Sequence, residues 1–170
     1  MKIIEALKKI KANDQKISDL NNRIAANCAR KSIETSAYDD PIKTVSGWIN
    51  SVQDLILDNE RLTYLIHRTN VETEVTIEIG DNTITKTIDQ WLYRRRNGAV
   101  KALQTYQRLS DRGLKSEAMK QTDGTILQID VVRHFDAAER DKKVDLLTSE
   151  PLVIDARLEI INAITDLVEA

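Results

Sequence analysis

The sequence predicts a mainly α-helical protein, in which long antiparallel, coiled-coil-like helices carry one or two small β-hairpins. This is an α+β fold only in the broad sense. The 170 residues include five glycines and two prolines, so little interrupts regular helix. A single phenylalanine favours aliphatic helix seams over a thick β-sandwich core. Apolar residues recur at steps of three and four, and they alternate clearly only around residues 74–79.

Composition limits the classes of function. A net charge of -2 does not favour a nucleic acid duplex or an anionic membrane as partner. No run approaches the roughly 18 apolar residues of a membrane span. The start, MKIIEALKKIKANDQ, lacks the apolar core of a signal peptide. We expect a single domain over residues 1–170, located in the cytoplasm of a bacterium or a phage-infected cell, with the virion as an alternative location.

The first helix is expected over residues 2–29. Two polar residues, Asp14 and Asn21, share the register of its apolar seam, which consists of Ile3, Leu7, Ile10, Ile17, Ile24 and Cys28. Polar layers in such a seam can fix the register or partner number of a coiled coil. They fit equally well a two-helix hairpin whose polar layers face solvent. Both interpretations stay open at this point.

The second helix is expected over residues 41–67. Asp40 is suited to cap it, and Pro41 to occupy its first position. Its apolar positions extend beyond one stripe, so we expect it to contact more than one neighbour. These positions are Val45, Trp48, Ile49, Val52, Leu55, Ile56, Leu62 and Ile66.

The remaining segments alternate between hairpins and helices. A hairpin is expected over residues 73–85, a helix over 87–112, a second hairpin over 114–133 and a kinked helix over 136–168. Thr87 and Gln90 form a capping box at the start of the third helix, and Gly113 fits its end. Pro151 predicts a kink or break near residues 148–151 of the last helix, with Ser149 as a new cap.

Signatures of enzyme sites are missing from the sequence, including the P-loop, the Rossmann glycine pattern and HExxH. His67 and His134 are not spaced as metal ligands. Glu72, Glu74 and Glu78 either perform acid–base work or form a charged outer face on an edge strand. We therefore expect no catalytic residue, no metal and no cofactor.

Two polar segments are candidate binding sites. Arg68, Thr69, Asn70 and Thr73 follow the predicted second helix. They either cap and turn the chain or present hydrogen-bonding groups to a ligand.

The second candidate is the segment around Trp91, Arg94 and Arg95. Successive helical residues point about 100° apart, so neighbouring arginines cannot share a face. Arg95 falls on the apolar stripe of Ile88, Leu92, Ala99 and Ala102. Its guanidinium therefore either pairs with a carboxylate of a neighbouring helix or subunit, or binds an anion.

The motifs LIHRTNVET, TITKTIDQWLYRRR and EIINAITDLVE, in this order, resemble the septicolysin-like family of small bacterial and phage proteins. The resemblance covers most of the chain. It implies a mostly helical subunit that assembles with itself into a ring, as a hexamer, and it implies no enzyme activity.

We therefore expect a non-enzymatic oligomer that binds a small anionic, nucleotide-like ligand and is encoded by a phage. The predicted ligand-binding residues are Arg68, Thr69, Asn70, Thr73, Trp91, Arg94 and Arg95. One alternative is a structural protein of a phage particle. The other is a hydrolase or lyase that uses Glu72, Glu74 or His67.

Overall fold

A computed structural model describes residues 1–168 and confirms the predicted fold class. The α-helices are α1 (Ile3–Asn27), α2 (Pro41–Glu72), α3 (Ile88–Tyr93), α4 (Ala99–Gln107) and α5 (Ala137–Ile164). A π-helical turn, Arg94–Gly98, joins α3 to α4. One antiparallel hairpin contains β1 (Glu74–Ile79) and β2 (Asn82–Thr87), and another contains β3 (Glu117–Lys120) and β4 (Ile126–Ile129).

The chain divides into two compact units, and the division falls within α5. The first unit contains Met1–Thr73 and the residues from Glu159 onward, and the second contains Glu74–Leu158. The expectation of a single domain stays a prediction.

In the first unit, α1 and α2 pack together, and their buried aliphatic side chains lie at one end of the pair. The buried aliphatic side chains are Ile3, Ala6, Leu62, Leu65 and Ile66. A polar layer lies further along the pair. Asn13, only 4% exposed, donates from Nδ2 to Asp58 at 3.0 Å and to Asn59 at 2.9 Å. Asn59 in turn donates to Asp14 at 2.8 Å. Asp14 is thus paired within the chain, whereas Asn21 is exposed.

The N-terminal residues meet the segment 165–168 in the first unit. The backbone N–H of Ile3 donates to the Thr165 carbonyl at 3.0 Å, and that of Leu167 donates to the Met1 carbonyl at 2.8 Å. Lys2 also forms an ion pair with Asp166. These bonds hold residues 165–168 against the N-terminus, which explains why α5 ends at Ile164 rather than at residue 168 as predicted.

Helix α2 continues to Glu72, five residues beyond the predicted end at residue 67. Arg68 and Glu72 form an ion pair across one helical turn, which supports the added turn. Thr73 is the C-cap, and its N–H donates to the Thr69 carbonyl at 2.9 Å. His67 therefore lies inside the helix and does not end it.

In the second unit, the first hairpin buries Val75, Ile77 and Ile79, as its period-two pattern predicts. The indole Nε1 of Trp91 donates to the Val75 carbonyl at 2.9 Å, which fixes α3 to the hairpin. Gly80 turns the chain at φ 58°, and a Cβ there would come within 3.1 Å of Leu146 on α5. A side chain at this turn would therefore be both strained and crowded.

The third helical run begins with the predicted capping box. Thr87 Oγ1 accepts from Gln90 N at 3.3 Å, and Gln90 Oε1 accepts from Thr87 N at 3.1 Å. The run ends at Gln107, before the predicted residue 112. Arg140 donates to the Leu109 carbonyl at 2.7 Å. This tertiary contact holds the chain in turns where the local sequence favoured further helix.

Helix α5 runs through Pro151 without a break, so residues 148–151 do not separate two helices, and the alternative of a kink at Pro151 stays a prediction. The carboxylate of Asp136 caps its start by accepting from the N–H groups of Ala138 and Glu139. The hydroxyl of Ser149 donates back to the Leu146 carbonyl at 3.0 Å and so does not cap a new helix.

Candidate functional site

The predicted ligand-binding residues fall in both units. Arg68, Thr69, Asn70 and Thr73 belong to the first unit, and Trp91, Arg94 and Arg95 belong to the second.

In the first group, Thr69 and Thr73 have structural contacts. Thr69 is fully buried, and its hydroxyl donates to the Leu65 carbonyl at 2.7 Å. The same oxygen accepts from the N–H of Val168 at 3.0 Å. Thr69 thereby joins α2 to the C-terminal segment, while Thr73 ends α2. Both contacts favour the capping and turning interpretation for these two threonines.

Asn70 is a different case. Its side chain is buried, with 7% of the residue exposed. Its Oδ1 has no hydrogen-bond partner among residues 1–168. A buried amide oxygen of this kind is costly unless a donor satisfies it.

Within the second group, Arg94 is the arginine that reaches a buried partner. Its Nε and NH2 groups donate to the two carboxylate oxygens of Glu150 at 2.5 and 2.8 Å. Glu150 is only 3% exposed. Its hydrogen bond raises the pKa of the Arg94 guanidinium above the ordinary value.

A π-helical turn, Arg94–Gly98, begins at this arginine, whose N–H still donates to the Gln90 carbonyl as in a regular α-helix. A π-helical turn has more residues than an α-helical turn, so it shifts the faces of the helix that follow. Gly98 also makes room, because a Cβ on it would lie 3.0 Å from Cδ of Arg94. Arg95, the arginine that the sequence placed on the apolar stripe, is also partly buried, with 26% of its side chain exposed against 30% for Arg94.

Arg95 pairs with Asp155 on α5 of the same chain. The Asp155 side chain is 51% exposed, so the pair lies at the surface. A carboxylate partner on a neighbouring helix was one of the two predicted outcomes for this arginine. The prediction that Arg95 also contacts a ligand stays open.

A cavity of about 280 Å³ lies beside Arg94 in the second unit. Three cationic side chains line it, those of Lys86, Arg94 and Lys143, whereas Glu150 is the one lining carboxylate among the described residues. Lys86 Nζ also lies 5.3 Å from the centroid of the Trp91 ring. Because Glu150 neutralises Arg94, the two lysines are the lining charges that no lining carboxylate balances.

Sequence reasoning found Trp91 and Arg94 but missed Lys86, Lys143 and Tyr106 as cavity residues. Lys86 follows the hairpin pattern on β2, and Tyr106 lies on the apolar stripe of the third helical run. Lys143 comes from a helix far along the chain. No local motif joins these three positions.

The residues that the sequence suggested for catalysis, such as His67 and Glu72, do not line this cavity. His67 lines an open groove of the first unit with Asp14 and Glu60, and Glu72 is paired with Arg68. Over residues 1–168, no cluster of histidine, cysteine and carboxylate side chains could hold a metal ion. In the same range, no helix has the length and apolar character that crossing a bilayer requires.

Comparison with known proteins supports the fold alone. No protein-family model matches the chain, and no curated protein matches it significantly. A solved structure of "a functionally unknown conserved protein" from Corynebacterium diphtheriae is similar, with a TM-score of 0.59. The two chains are 23% identical, and the alignment covers 99% of each.

Proposed function

We propose that this protein is a non-enzymatic binding protein whose cavity beside Arg94 takes a small anion. The observation that carries the proposal is the lining of this cavity, with three cations against one carboxylate that Arg94 already neutralises. Such an excess of positive charge in a recess attracts anions and raises their local concentration.

The remaining lining favours a ligand with a planar apolar part. Tyr106, Ile84 and Leu146 contribute aromatic and aliphatic surface to the same cavity. Arg94 uses Nε and NH2 for Glu150, and its NH1 group makes no hydrogen bond within residues 1–168. NH1 is thus a free donor for phosphate or carboxylate oxygens. A nucleotide-like molecule combines such an anionic group with a planar ring.

The family, the assembly and the source of this protein are also proposals. We place the chain in the septicolysin-like family on its sequence motifs, with a ring-shaped homo-oligomer, a hexamer, as the assembly and a phage as its source. In this proposal, Trp91 and Arg94 belong to the ligand site together with Lys86 and Lys143.

Binding is tested by titrating the full-length protein with AMP and with inorganic phosphate in a calorimeter. Lys143→Ala is expected to weaken AMP binding at least tenfold, because it removes one of two uncompensated cations. Lys142→Ala is the matched control, since Lys142 is the adjacent exposed lysine outside the cavity. The proposal would be contradicted if the titrations gave no heat of binding and native mass spectrometry found no co-purifying ligand.

A structural role in a phage particle is the second candidate. The second hairpin favours it, because all eight strand residues of β3 and β4 are exposed, including Met119 and Ile126. An isolated two-stranded hairpin is marginally stable in water, so a neighbouring molecule would stabilise it. Proteomics of purified virions tests this role, and absence of the protein there would exclude it.

A further inference from the structure

A second cavity of the second unit lies where the turn after α4 meets the segment before α5. Its volume is about 330 Å³. The lining residues come from two stretches, residues 108–114 and residues 131–135, and none of them lines the cavity beside Arg94. Three of them are arginines, namely Arg108, Arg112 and Arg133. Asp111 is the one lining carboxylate among the described residues.

Two side-chain contacts join these stretches and fix the shape of the cavity. The carboxylate of Asp111 accepts from Nε and NH2 of Arg133 at 2.5 and 2.7 Å. Arg140 on α5 donates from NH1 to the Leu109 carbonyl at 2.7 Å, and its Cζ lies 5.6 Å from the centroid of the Phe135 ring. A site whose walls are already held in place loses less entropy when it binds a ligand.

The pair between Asp111 and Arg133 leaves the other two arginines without a carboxylate. The guanidinium groups of Arg108 and Arg112 make no hydrogen bond and no ion pair within residues 1–168. Two unbalanced cations in a recess attract anions. The planar fork of a guanidinium also matches a pair of phosphate oxygens, which a lysine ammonium does not.

The backbone of Arg112 adds a second observation. Its φ is 56°, the one positive value for a residue other than glycine among residues 1–168. In this conformation the Cβ crowds the backbone, so an arginine bears strain that a glycine avoids. Such strained residues cluster at binding and active sites. Arg112 is therefore more informative than Arg108, whose charge also suits the C-terminal end of α4.

We propose that this cavity is a second anion site, in which the guanidinium groups of Arg108 and Arg112 hold the phosphate group of a small molecule. The site does not depend on ligand binding beside Arg94. Apolar side chains also line the cavity, namely Leu109, Leu114, Val131, Val132 and Phe135. They offer surface to an apolar group that the phosphate carries as an ester.

Modification of the full-length protein by phenylglyoxal, which reacts with arginine side chains, tests the site by mass spectrometry. Inorganic phosphate at constant ionic strength is expected to slow the modification of Arg108 and Arg112. Arg23, an exposed arginine of α1 outside the cavity, is the internal control and should react at an unchanged rate. Equal rates with and without phosphate at Arg108 and Arg112 would overturn the proposal.

Phenyl phosphate distinguishes an ester from free phosphate as the ligand. It is expected to protect the two arginines at a lower concentration than inorganic phosphate, because the apolar walls contact its ring. Protection by both compounds at the same concentration would assign the site to free phosphate.

The variant Arg112→Gly separates binding from folding. Protection of Arg108 is expected to need roughly tenfold more phosphate, because one charge-assisted contact is lost. The thermal midpoint should stay unchanged or rise, since glycine adopts φ 56° without a Cβ. Lys115→Ala, at an exposed position outside the cavity, is the matched control. The proposal fails if Arg112→Gly leaves the protection of Arg108 unchanged, or if Lys143→Ala beside Arg94 abolishes it.

Discussion

At the scale of single residues, Arg94 and Arg95 show how adjacent side chains acquire different roles. Both guanidinium groups pair with carboxylates on α5, but Glu150 is buried and Asp155 is half-exposed. A buried carboxylate without its cation is costly, whereas an exposed ion pair adds little because water screens it. The sequence shows two equivalent arginines, and burial of the partner makes them different.

This difference predicts unequal effects of two conservative substitutions. Glu150→Gln is expected to lower the free energy of unfolding by roughly 2–3 kcal/mol, since Arg94, which is itself partly buried, loses the carboxylate with which it pairs. Asp155→Asn is expected to cost less than about 1 kcal/mol. Urea unfolding at neutral pH measures both. Equal losses would show that the burial of Glu150 does not strengthen its pair.

Thr69 gives a second prediction at this scale. Thr69→Val keeps the shape but removes the acceptor of the Val168 N–H, so we expect a loss of about 1–2 kcal/mol. Amide exchange at Val168 should also become faster, because its hydrogen bond is gone. Thr63→Val, at an exposed position of α2, serves as the control. Unchanged exchange at Val168 in the Thr69 variant would contradict the assigned contact.

At the scale of elements, the π-helical turn lies between the two parts of the third helical run that line the cavity. Trp91 and Arg94 come from the part up to the start of the turn, and Ala102 and Tyr106 from the part after it. The extra residue in the turn changes which residues of α4 share a face with those of α3. The capping box at Thr87 was predictable, because it depends on residues three apart. The π-helical turn was not, because no local motif marks it and its arginines pair with carboxylates more than fifty residues away.

Two glycines in helical segments, Gly47 and Gly98, give a matched test of whether Arg94 needs the space beside Gly98. Gly47→Ala in α2 is expected to stabilise the protein by about 0.5–1 kcal/mol, because alanine is the better helix former. Nothing lies within 4 Å of a Cβ at that position. At Gly98, a Cβ would crowd Cδ of Arg94, which Glu150 holds in place. Gly98→Ala should therefore give no such gain, and a loss is expected.

Thermal unfolding of both glycine variants measures these effects. The expected outcome is a higher midpoint for Gly47→Ala and an unchanged or lower midpoint for Gly98→Ala. Equal stabilisation by the two substitutions would show that Arg94 is free to move away from Gly98.

At the scale of the whole molecule, carboxylates in both units depend on cations. The Lys9 and Asn13 hydrogen bonds lower the pKa of Asp58 below its usual range. Arg133 does the same to the pKa of Asp111, and Lys2 to that of Asp166. A carboxylate whose pKa is lowered by folding stabilises the native state above its unfolded pKa, near 4.

The direction of the predicted pH dependence follows from these lowered pKa values. The stability that these groups contribute is present at neutral pH and is lost as the pH falls through the lowered folded pKa values. The triple variant Asp58→Asn, Asp111→Asn, Asp166→Asn should unfold at lower urea concentration at pH 6 and lose less stability on acidification. Asp145→Asn is the control. If the stability of the triple variant and that of wild type fell equally on acidification, these three carboxylates would not be the source of the pH dependence.

The sequence by itself determined the fold class, both hairpins and the capping box at Thr87. It also determined the cap at Asp40, whose carboxylate accepts from the Lys43 N–H at 3.0 Å. Those features depend on periodicity and on residues within a few positions of one another, which local physics controls. The tertiary structure decided the length of α2, the unbroken course of α5 through Pro151, the pairing of Arg94 with Glu150 and the inclusion of Lys143 in the cavity. Each of these depends on contacts between distant segments, and neither helical periodicity nor a local motif encodes such contacts.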